Sequence, residues 1–285
     1  MPMIHDTIKP SGRFRELFCC YHFIRSESEN EHVFPFKAGP KTALAICYAG
    51  SYCQEKNGKR EDFPKVAVIG PVLRPCSVVF SRGDFGLILA EFTETGYYSL
   101  FGEMPERLVN SFMDFTKIAG DETAEKALDL AQKLNAGCSE GQMAVLLEDL
   151  LETLGIGRDS GPEQTVRDAA EIIKKSVHDI DMSSLAGMLG ITVRTLQRRF
   201  KTVTGLTPKQ YAEITRFTKL FDYLVSDDRV GLVKKLYSLG YYDQAHAIRE
   251  FKKYAGCSPR KIMPDYHGIA ARLSRRFAEN IHEPD

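Results

Sequence analysis

Two segments near the end of the chain repeat each other in sequence. Residues 198–208 read RRFKTVTGLTP, and residues 249–259 read REFKKYAGCSP. Arg, Phe, Lys, Gly and Pro return in register, and each copy ends with a glycine, a polar turn and a proline, the signal that stops a helix. Because the copies agree, they predict two examples of one helical unit, which is more specific evidence than either copy alone.

The residues around the first copy predict a short helix, a tight turn and a second helix. Ser183 or Ser184 is expected to cap the short helix, whose predicted apolar face is Leu185, Met188 and Leu189. Gly190 can take the positive φ that ends this helix, and Thr192 can cap the next one. In that second helix the predicted inward side chains are Leu196, Phe200 and either Val193 or Val203.

The second copy follows the same plan in the segments LVKKLYSLG, YYD and QAHAIREFKKYAG. Gly240 marks the turn and Asp243 is a good N-cap. Phe251 is expected to face inward, together with Ala247 or Ile248. The chain therefore predicts two successive helix-turn-helix units.

The outer face predicted for the first unit carries Arg194, Gln197, Arg198 and Lys201. Arginine can donate two hydrogen bonds to guanine O6 and N7, glutamine can pair with adenine N6 and N7, and lysine reaches phosphates. Without the repeat, a solvated helix face would be the preferred interpretation. With both turns and the repeat, DNA contact is favoured.

Residues 165–265 resemble the DNA-binding domain of the AraC/XylS family of transcription regulators. The segments that carry the resemblance are SLAGMLGITVRTLQRRFKTVTGLTPKQYAEITR and SLGYYDQAHAIREFKKYAGCSPRKI. The resemblance implies an all-α domain of seven helices, in which one long helix, roughly 208–225, holds both units so that their recognition helices enter successive major-groove segments.

The same resemblance implies which side chains contact DNA. The implied base-contacting residues are Arg194, Gln197, Arg198, Gln244, Ala245 and Arg249. The implied phosphate-contacting residues are Thr192, Lys201 and Lys252. His246 also falls in the family motif, and a structural His beside Asp243 is at least as good an interpretation as a base contact.

The second unit departs from the family pattern at three positions. Leu236 stands where a small alanine is usual, Lys235 where an apolar residue is common, and Ala247 where a large apolar side chain is usual. We interpret Leu236 and Ala247 as a compensating exchange of size, since volume-conserving changes are tolerated in a packed core. Ala245 and Ile248 can offer a base only apolar contact, for example to a thymine methyl group, so the first unit is expected to dominate specificity.

The charge of the chain is unevenly distributed. Residues 1–162 hold 17 Lys and Arg against 23 Asp and Glu, a net charge of −6, whereas residues 163–285 hold 21 against 15, a net charge of +6. This polarity is typical of a basic nucleic-acid module joined to an acidic partner domain. We predict double-stranded DNA as the partner and, from the family, RNA polymerase.

The N-terminal part reads as short β-branched and aromatic runs broken by Gly and Pro: FCCYHFI, TALAICYAGSYC, KVAVIGPVL, CSVVFS and FGLILAEFTET. The pair at 57–58, Asn-Gly, predicts a hairpin turn. Helical periodicity follows in PERLVNSFMDF, ETAEKALDLAQKLN and EGQMAVLLEDLLETLG. The predicted fold class is α+β, with a β-barrel-like, cupin-like N-terminal domain carrying helices and an all-α C-terminal domain.

The predicted domain boundaries follow from these patterns. They give a β-rich sensor-like or dimerisation domain at 1–120, a helical extension at 121–155, a linker at 156–162, the tandem helix-turn-helix domain at 163–266 and a tail at 267–285.

The N-terminal part resembles, more weakly, the sensor domains attached to this family, which makes a small-molecule effector and a homodimer candidate features. No residue can be assigned to an effector pocket, because the aromatic candidates can equally be core: Tyr21, Phe36, Tyr48, Tyr52, Phe80 and Phe92.

No cofactor or metal site is predicted. Cys19, Cys20, Cys47 and Cys53 could form a redox switch or bind a metal with His22 or His32, but their spacing favours buried, inert thiols. Glu91 and Glu94 are expected to be exposed strand ends, and no enzyme motif is present. An enzyme that uses a reactive Cys is therefore disfavoured.

No apolar run reaches the length of a membrane span, and residues 1–10 lack the features of a signal peptide. A cytoplasmic, nucleoid-associated location is the expectation. The alternative function is an interaction module, or a DNA-binding domain that no longer reads bases.

Overall fold

The computed structural model describes residues 4–36, 38–56, 58–81, 83–102, 106–134, 137–153, 163–176, 180–225 and 232–259. The fold divides into two units. The first comprises Met1–Phe36, Lys41–Gly70 and Cys76–Ser160, and the second Lys37–Pro40, Pro71–Pro75 and Gly161–Asp285. The predicted linker and tail lie outside the described residues, and the domain boundaries stay predictions.

The first unit is built on antiparallel strands. They are β1 Ile4–Ile8, β2 Phe18–Ser28, β3 His32–Phe36, β4 Ala43–Ala49, β5 Tyr52–Lys56, β6 Lys59–Asp62, β7 Val66–Ile69, β8 Cys76–Phe80, β9 Gly83–Phe92 and β10 Phe112–Asp114. Six form one sheet in the order β1-β2-β9-β4-β7-β10, and four form a second in the order β3-β8-β5-β6. The predicted α+β class is confirmed.

Glycines set two of the turns between strands. The run TALAICYAGSYC is divided at Gly50, whose φ of 68° bends the chain between β4 and β5. A Cβ at Gly50 would lie 2.7 Å from the Asp84 backbone oxygen, so a larger residue does not fit. At the predicted hairpin, Gly58 has a φ of 72° and Lys56 pairs with Lys59; Asn57 lies outside the described residues.

The helices described in this unit are α1 Gly96–Phe101, α2 Thr116–Ala119, α3 Asp121–Leu134 and α4 Glu140–Thr153. One face of the six-stranded sheet shares a continuous apolar core with α3 and α4. Tyr21 and Phe92 belong to this core and are packing residues. Tyr52 and Phe80 are also buried, and Tyr48 packs against the core from its edge; the side chain of Phe36 lies outside the described part.

Three sequence predictions for this unit are wrong. PERLVNSFMDF holds a short 3-10 turn, Glu106–Leu108, and β10 instead of a helix, because Phe112 to Asp114 pair with Ala67 to Ile69 of β7. Glu91 and Glu94 are not exposed strand ends, since their side chains are only 13% and 9% exposed. Cys19 is partly exposed, whereas Cys20, Cys47 and Cys53 are buried as expected.

The second unit is helical. Its helices are α5 Glu163–Lys175, α6 Met182–Met188, α7 Val193–Thr204, α8 Pro208–Val225, α9 Leu232–Ser238 and α10 Gln244–Ala255. The described residues of this unit hold six of the seven helices that the resemblance implies. Within the described part of the chain, no helix has both the length and the hydropathy that a membrane crossing requires.

Candidate nucleic-acid interface

The first helix-turn-helix unit consists of α6 and α7. Asp181 caps α6 by accepting the Ser184 backbone N–H at 2.8 Å, so the expected cap at Ser183 or Ser184 is wrong. An extended Asp181 fits the N-cap position, and Ser184 then supplies the amide that the cap satisfies. The hydrogen bonds from Ser184 lower the pKa of the Asp181 carboxyl.

Fewer of the predicted apolar residues of the first helix are buried than expected. Leu185 and Ala186 are buried, Leu189 is half-buried, and Met188 is 69% exposed. Gly190 has a φ of 65° and Thr192 caps α7 by accepting the Thr195 N–H, as predicted.

The sequence repeat is also a repeat of backbone geometry. Helices α7 and α10 each have 12 residues, and they begin at the N-caps Thr192 and Asp243. They end at Gly205, with φ 75° and ψ −6°, and Gly256, with φ 74° and ψ −6°. The turns match as well: Ile191 N–H donates to Ala186 C=O and Tyr241 N–H to Leu236 C=O, each at 3.0 Å. The two units are copies of one motif.

The outward face of α7 is the one that the sequence predicted. Arg194, Gln197 and Arg198 are exposed, while Leu196 and Phe200 are buried. Val203 is buried and Val193 is half-buried, so Val203 is the one of these two that completes the inward side of α7.

The matching caps determine which residues of α10 correspond to this face. Counting from the N-caps, Ala245, Ile248 and Arg249 stand where α7 has Arg194, Gln197 and Arg198. All three are exposed, Ile248 by 40%. The sequence left Ile248 open between the inward and the outer face, and the N-cap register together with its exposure assigns it to the outer face. Gln244 is also exposed, but it is the first residue of α10 and corresponds to Val193.

The second unit therefore presents a different chemistry from the first. Arg249 is its one hydrogen-bonding side chain among the three matching positions, whereas Ala245 and Ile248 can offer only apolar contact, for example to a thymine methyl group.

Neither recognition helix exposes a carboxylate. Helix α7 contains no Asp or Glu, and the single acidic residue of α10, Glu250, is buried. The exposed side chains of Lys201 and Lys252 add positive charge at matching positions near the ends of the two helices. Thr192 is exposed too, although its hydroxyl takes part in the α7 cap. This distribution of charge suits an anionic backbone.

The proposed exchange of size falls on matching buried positions. Ala186 and Leu196 are buried in the first unit, and Leu236 and Ala247 are buried in the second. The first unit thus has a small residue before the turn and a large one in the recognition helix. The second unit has the reverse arrangement.

Helix α8 packs against the recognition helices of both units. The Phe200 ring of α7 meets Tyr211 at 5.2 Å, and the Phe251 ring of α10 meets Phe217 at 5.4 Å and Phe221 at 6.0 Å. Lys219 donates to the Lys174 carbonyl at the end of α5. With 18 residues, α8 is about 27 Å long, which is comparable to one turn of B-DNA.

A buried polar network fixes α10 to α8. Glu250 accepts hydrogen bonds from Arg216 Nε at 3.1 Å, Arg216 Nη2 at 2.6 Å and the Tyr241 hydroxyl at 2.7 Å. Burial, and next the charge of Glu250, raise the pKa of Tyr241. Because Tyr241 belongs to the turn of the second unit, this network joins the turn, the recognition helix and the connecting helix.

His246 has a structural position that accounts for its place in the motif. Its ring is half-buried and meets the Tyr241 ring edge-on at 5.4 Å, and its backbone N–H donates to the Asp243 cap at 2.6 Å.

Comparisons with known proteins agree with this geometry. Residues 185–263 match a family model described as a helix-turn-helix domain. The HTH-type transcriptional activator RhaS of Escherichia fergusonii is 34% identical over 84 residues, which cover 29% of this chain and 30% of that protein. RhaS of Escherichia coli O1:K1 / APEC is 29% identical over 91 residues, or 32% of each protein. The matched region thus spans less than one third of these relatives.

A solved structure resembles more of the chain. The 1.65 Å structure of ToxT from Vibrio cholerae aligns with 94% of this chain and 100% of its own, with a TM-score of 0.50. At 9% sequence identity, this similarity concerns the fold alone.

Proposed function

We propose that this protein is a sequence-specific DNA-binding transcription regulator of the AraC/XylS type that acts as an activator, since residues 185–263 match a helix-turn-helix family model and the RhaS relatives are named transcriptional activators. The observation that supports the proposal best is the pair of matching recognition helices on one connecting helix, each with an exposed arginine at the same position, Arg198 and Arg249. The proposed base contacts are made by Arg194, Gln197, Arg198, Gln244, Ala245 and Arg249, with Ile248 added. Thr192, Lys201 and Lys252 contact phosphates.

In this proposal the first unit supplies most of the hydrogen-bonded base readout. Arg194, Gln197 and Arg198 offer donors and an amide acceptor, whereas the second unit adds one arginine and apolar contacts. Activation implies a contact with RNA polymerase, and the RhaS relatives bear the name of transcriptional activators.

Regulation by a small molecule and pairing into a homodimer complete the proposal. A ligand of the N-terminal domain can change DNA affinity only if it binds two states of the chain with different affinities. The N-terminal sheets are the proposed location of such a ligand.

One observation favours a second candidate function. Two of the three matching positions in α10 are apolar, so the domain as a whole could bind DNA without a strong base preference, or bind a protein partner. Selection of bound sequences from a random DNA library by the full-length chain at physiological salt separates the two candidates. We expect a bipartite motif whose halves lie about one helical turn apart. A library without enrichment would favour the second candidate.

A further inference from the structure

Three side chains with metal-binding atoms converge in the N-terminal unit. Cys20 and His22 lie two residues apart on β2 and therefore share one face of the strand, and Glu91 of β9 is the cross-strand partner of Cys20. The Cys20 Sγ lies 3.0 Å from His22 Nε2 and 3.6 Å from Glu91 Oε2, and Nε2 and Oε2 are 4.0 Å apart. Cys20 and His22 are fully buried.

The three atoms of this triangle can be held together by hydrogen bonds or by one shared cation. At 4.0 Å, the contact between His22 and Glu91 is longer than a hydrogen bond. In the metal-free chain, His22 Nε2–H can donate to the Cys20 sulfur while the Cys20 thiol donates to the Glu91 carboxylate. A cation placed between the three atoms would replace these hydrogen bonds and contact all three.

The dimensions fit a transition-metal ion. The three distances of 3.0, 3.6 and 4.0 Å form a triangle, and the circle through its three atoms has a radius of about 2.1 Å. This radius is close to the usual distances of zinc from His, carboxylate and Cys ligands. An ion near the centre of that circle would reach all three atoms without displacement of a strand, and it would keep further coordination positions open.

The second nitrogen of His22 also has the environment of a metal-bound imidazole. Its Nδ1 lies 3.0 Å from His5 Nε2 and 3.2 Å from Thr7 Oγ1, both on β1. When Nε2 binds a metal, Nδ1 carries the proton and donates it to such a neighbour, which fixes the tautomer and the ring orientation.

We propose that Cys20, His22 and Glu91 bind one divalent transition-metal ion of the zinc class in the N-terminal unit. A thiolate, an imidazole and a carboxylate together suit Zn²⁺, and Co²⁺ can replace it as a spectroscopic probe. Binding converts the Cys20 thiol to a thiolate and releases one proton to solvent. The site does not depend on the proposed DNA recognition, so either proposal can fail alone.

The test uses the full-length, tag-free, reduced chain. We expect one Zn²⁺ per chain to remain after gel filtration, measured by elemental analysis, and a thiolate-to-Co²⁺ charge-transfer band during titration with Co²⁺. Cys20→Ser should abolish that band, and Glu91→Gln, which keeps the shape of the side chain, should weaken metal binding at least about 10-fold. His5→Ala removes a neighbour of the His22 imidazole and should weaken metal binding about 10- to 100-fold.

Cys47→Ala is the matched control. Cys47 is a second buried thiol of the same sheet, but its Sγ faces the Ala49 carbonyl at 3.2 Å and lies outside the triangle. This variant should keep one Zn²⁺ and the Co²⁺ band. Thermal unfolding in the presence of a chelator shows whether each variant folds, and added Zn²⁺ should raise the Tm of the wild type but not of Cys20→Ser. The proposal is overturned if the wild type retains no metal, or if Cys20→Ser and Glu91→Gln bind it as tightly as the wild type.

Discussion

Arg198 is the residue on which the proposed base readout depends most directly. It is exposed on α7, it matches Arg249 in the repeat, and its guanidinium can donate two hydrogen bonds to a guanine. Arg198→Ala should weaken binding to the selected DNA site by about 1–3 kcal/mol and relax the preference at one base pair. DNA titrations at one salt concentration, with the site and its single-base variants, measure both effects.

Lys201→Ala provides the comparison for this prediction. Lys201 is exposed on the same helix, and as a phosphate contact it should weaken binding to all sequences alike and reduce the salt slope by about 1. If Arg198→Ala behaved in the same way, Arg198 would be a phosphate contact as well.

Ala247 tests the exchange of size in the second unit. Ala247→Leu introduces the residue that Leu196 provides at the matching position of the first unit, into a site where Ala247 is 3% and Leu236 7% exposed. We expect overpacking to lower the free energy of unfolding by about 1–3 kcal/mol in urea titrations. The double variant with Leu236→Ala should recover most of this loss, whereas additive losses would refute the exchange.

Single residues also show the limits of prediction from sequence. The caps Thr192 and Asp243 were predictable, because the capping side chain and the amide that it accepts lie within three residues. The triangle of Cys20, His22 and Glu91 was not, since only the pairing register of β2 with β9 brings Glu91 to Cys20. Spacing along the chain carries no record of that register.

At the scale of elements, Glu250 holds α10 to α8. Its side chain is 7% exposed and that of its partner Arg216 is 11% exposed, so the pair is shielded from water. Removing one partner leaves an uncompensated buried charge, which costs about 3–5 kcal/mol. We expect Glu250→Ala to lower the stability of the helical unit by this amount, measured by chemical unfolding.

Lys253→Ala is the matched control, because Lys253 joins the same two helices through Glu213 but is 58% exposed. An exposed pair of this kind contributes about 0–1 kcal/mol. Equal losses in the two variants would mean that the Arg216–Glu250 pair has no special role in fixing the recognition helix.

Elements with strong local signals were predictable, and those defined by distant partners were not. Helix α8 begins and ends as predicted, since Pro208 starts it after the first repeat and its apolar side chains recur with helical spacing. Residues 112–114 instead form a strand, although PERLVNSFMDF reads as a helix. Their pairing with β7, more than forty residues earlier in the chain, outweighs the local pattern.

At the scale of the whole molecule, the division of charge between the N-terminal and C-terminal parts bears on the proposed DNA binding. The part from 163 onward carries a net charge of +6 and the part before it −6, so general attraction to DNA comes from one part of the chain only. Electrostatic attraction does not distinguish sequences, and it falls steeply as salt rises because counterions are released from the phosphates. In the proposed function, specificity therefore comes from the exposed side chains of α7 and α10.

The ratio of specific to non-specific affinity then separates a regulator from a general DNA-binding protein. For the full-length chain at physiological salt, we expect the selected site to bind at least about 10³-fold more tightly than a scrambled duplex of equal length. Raising the salt should weaken both complexes strongly, since both contact phosphates. Fluorescence anisotropy over a series of salt concentrations gives both quantities from one protein preparation. A ratio close to one at every salt concentration would leave the tandem helices as a phosphate-binding surface, and the exposed Arg194, Gln197 and Arg198 as solvated residues.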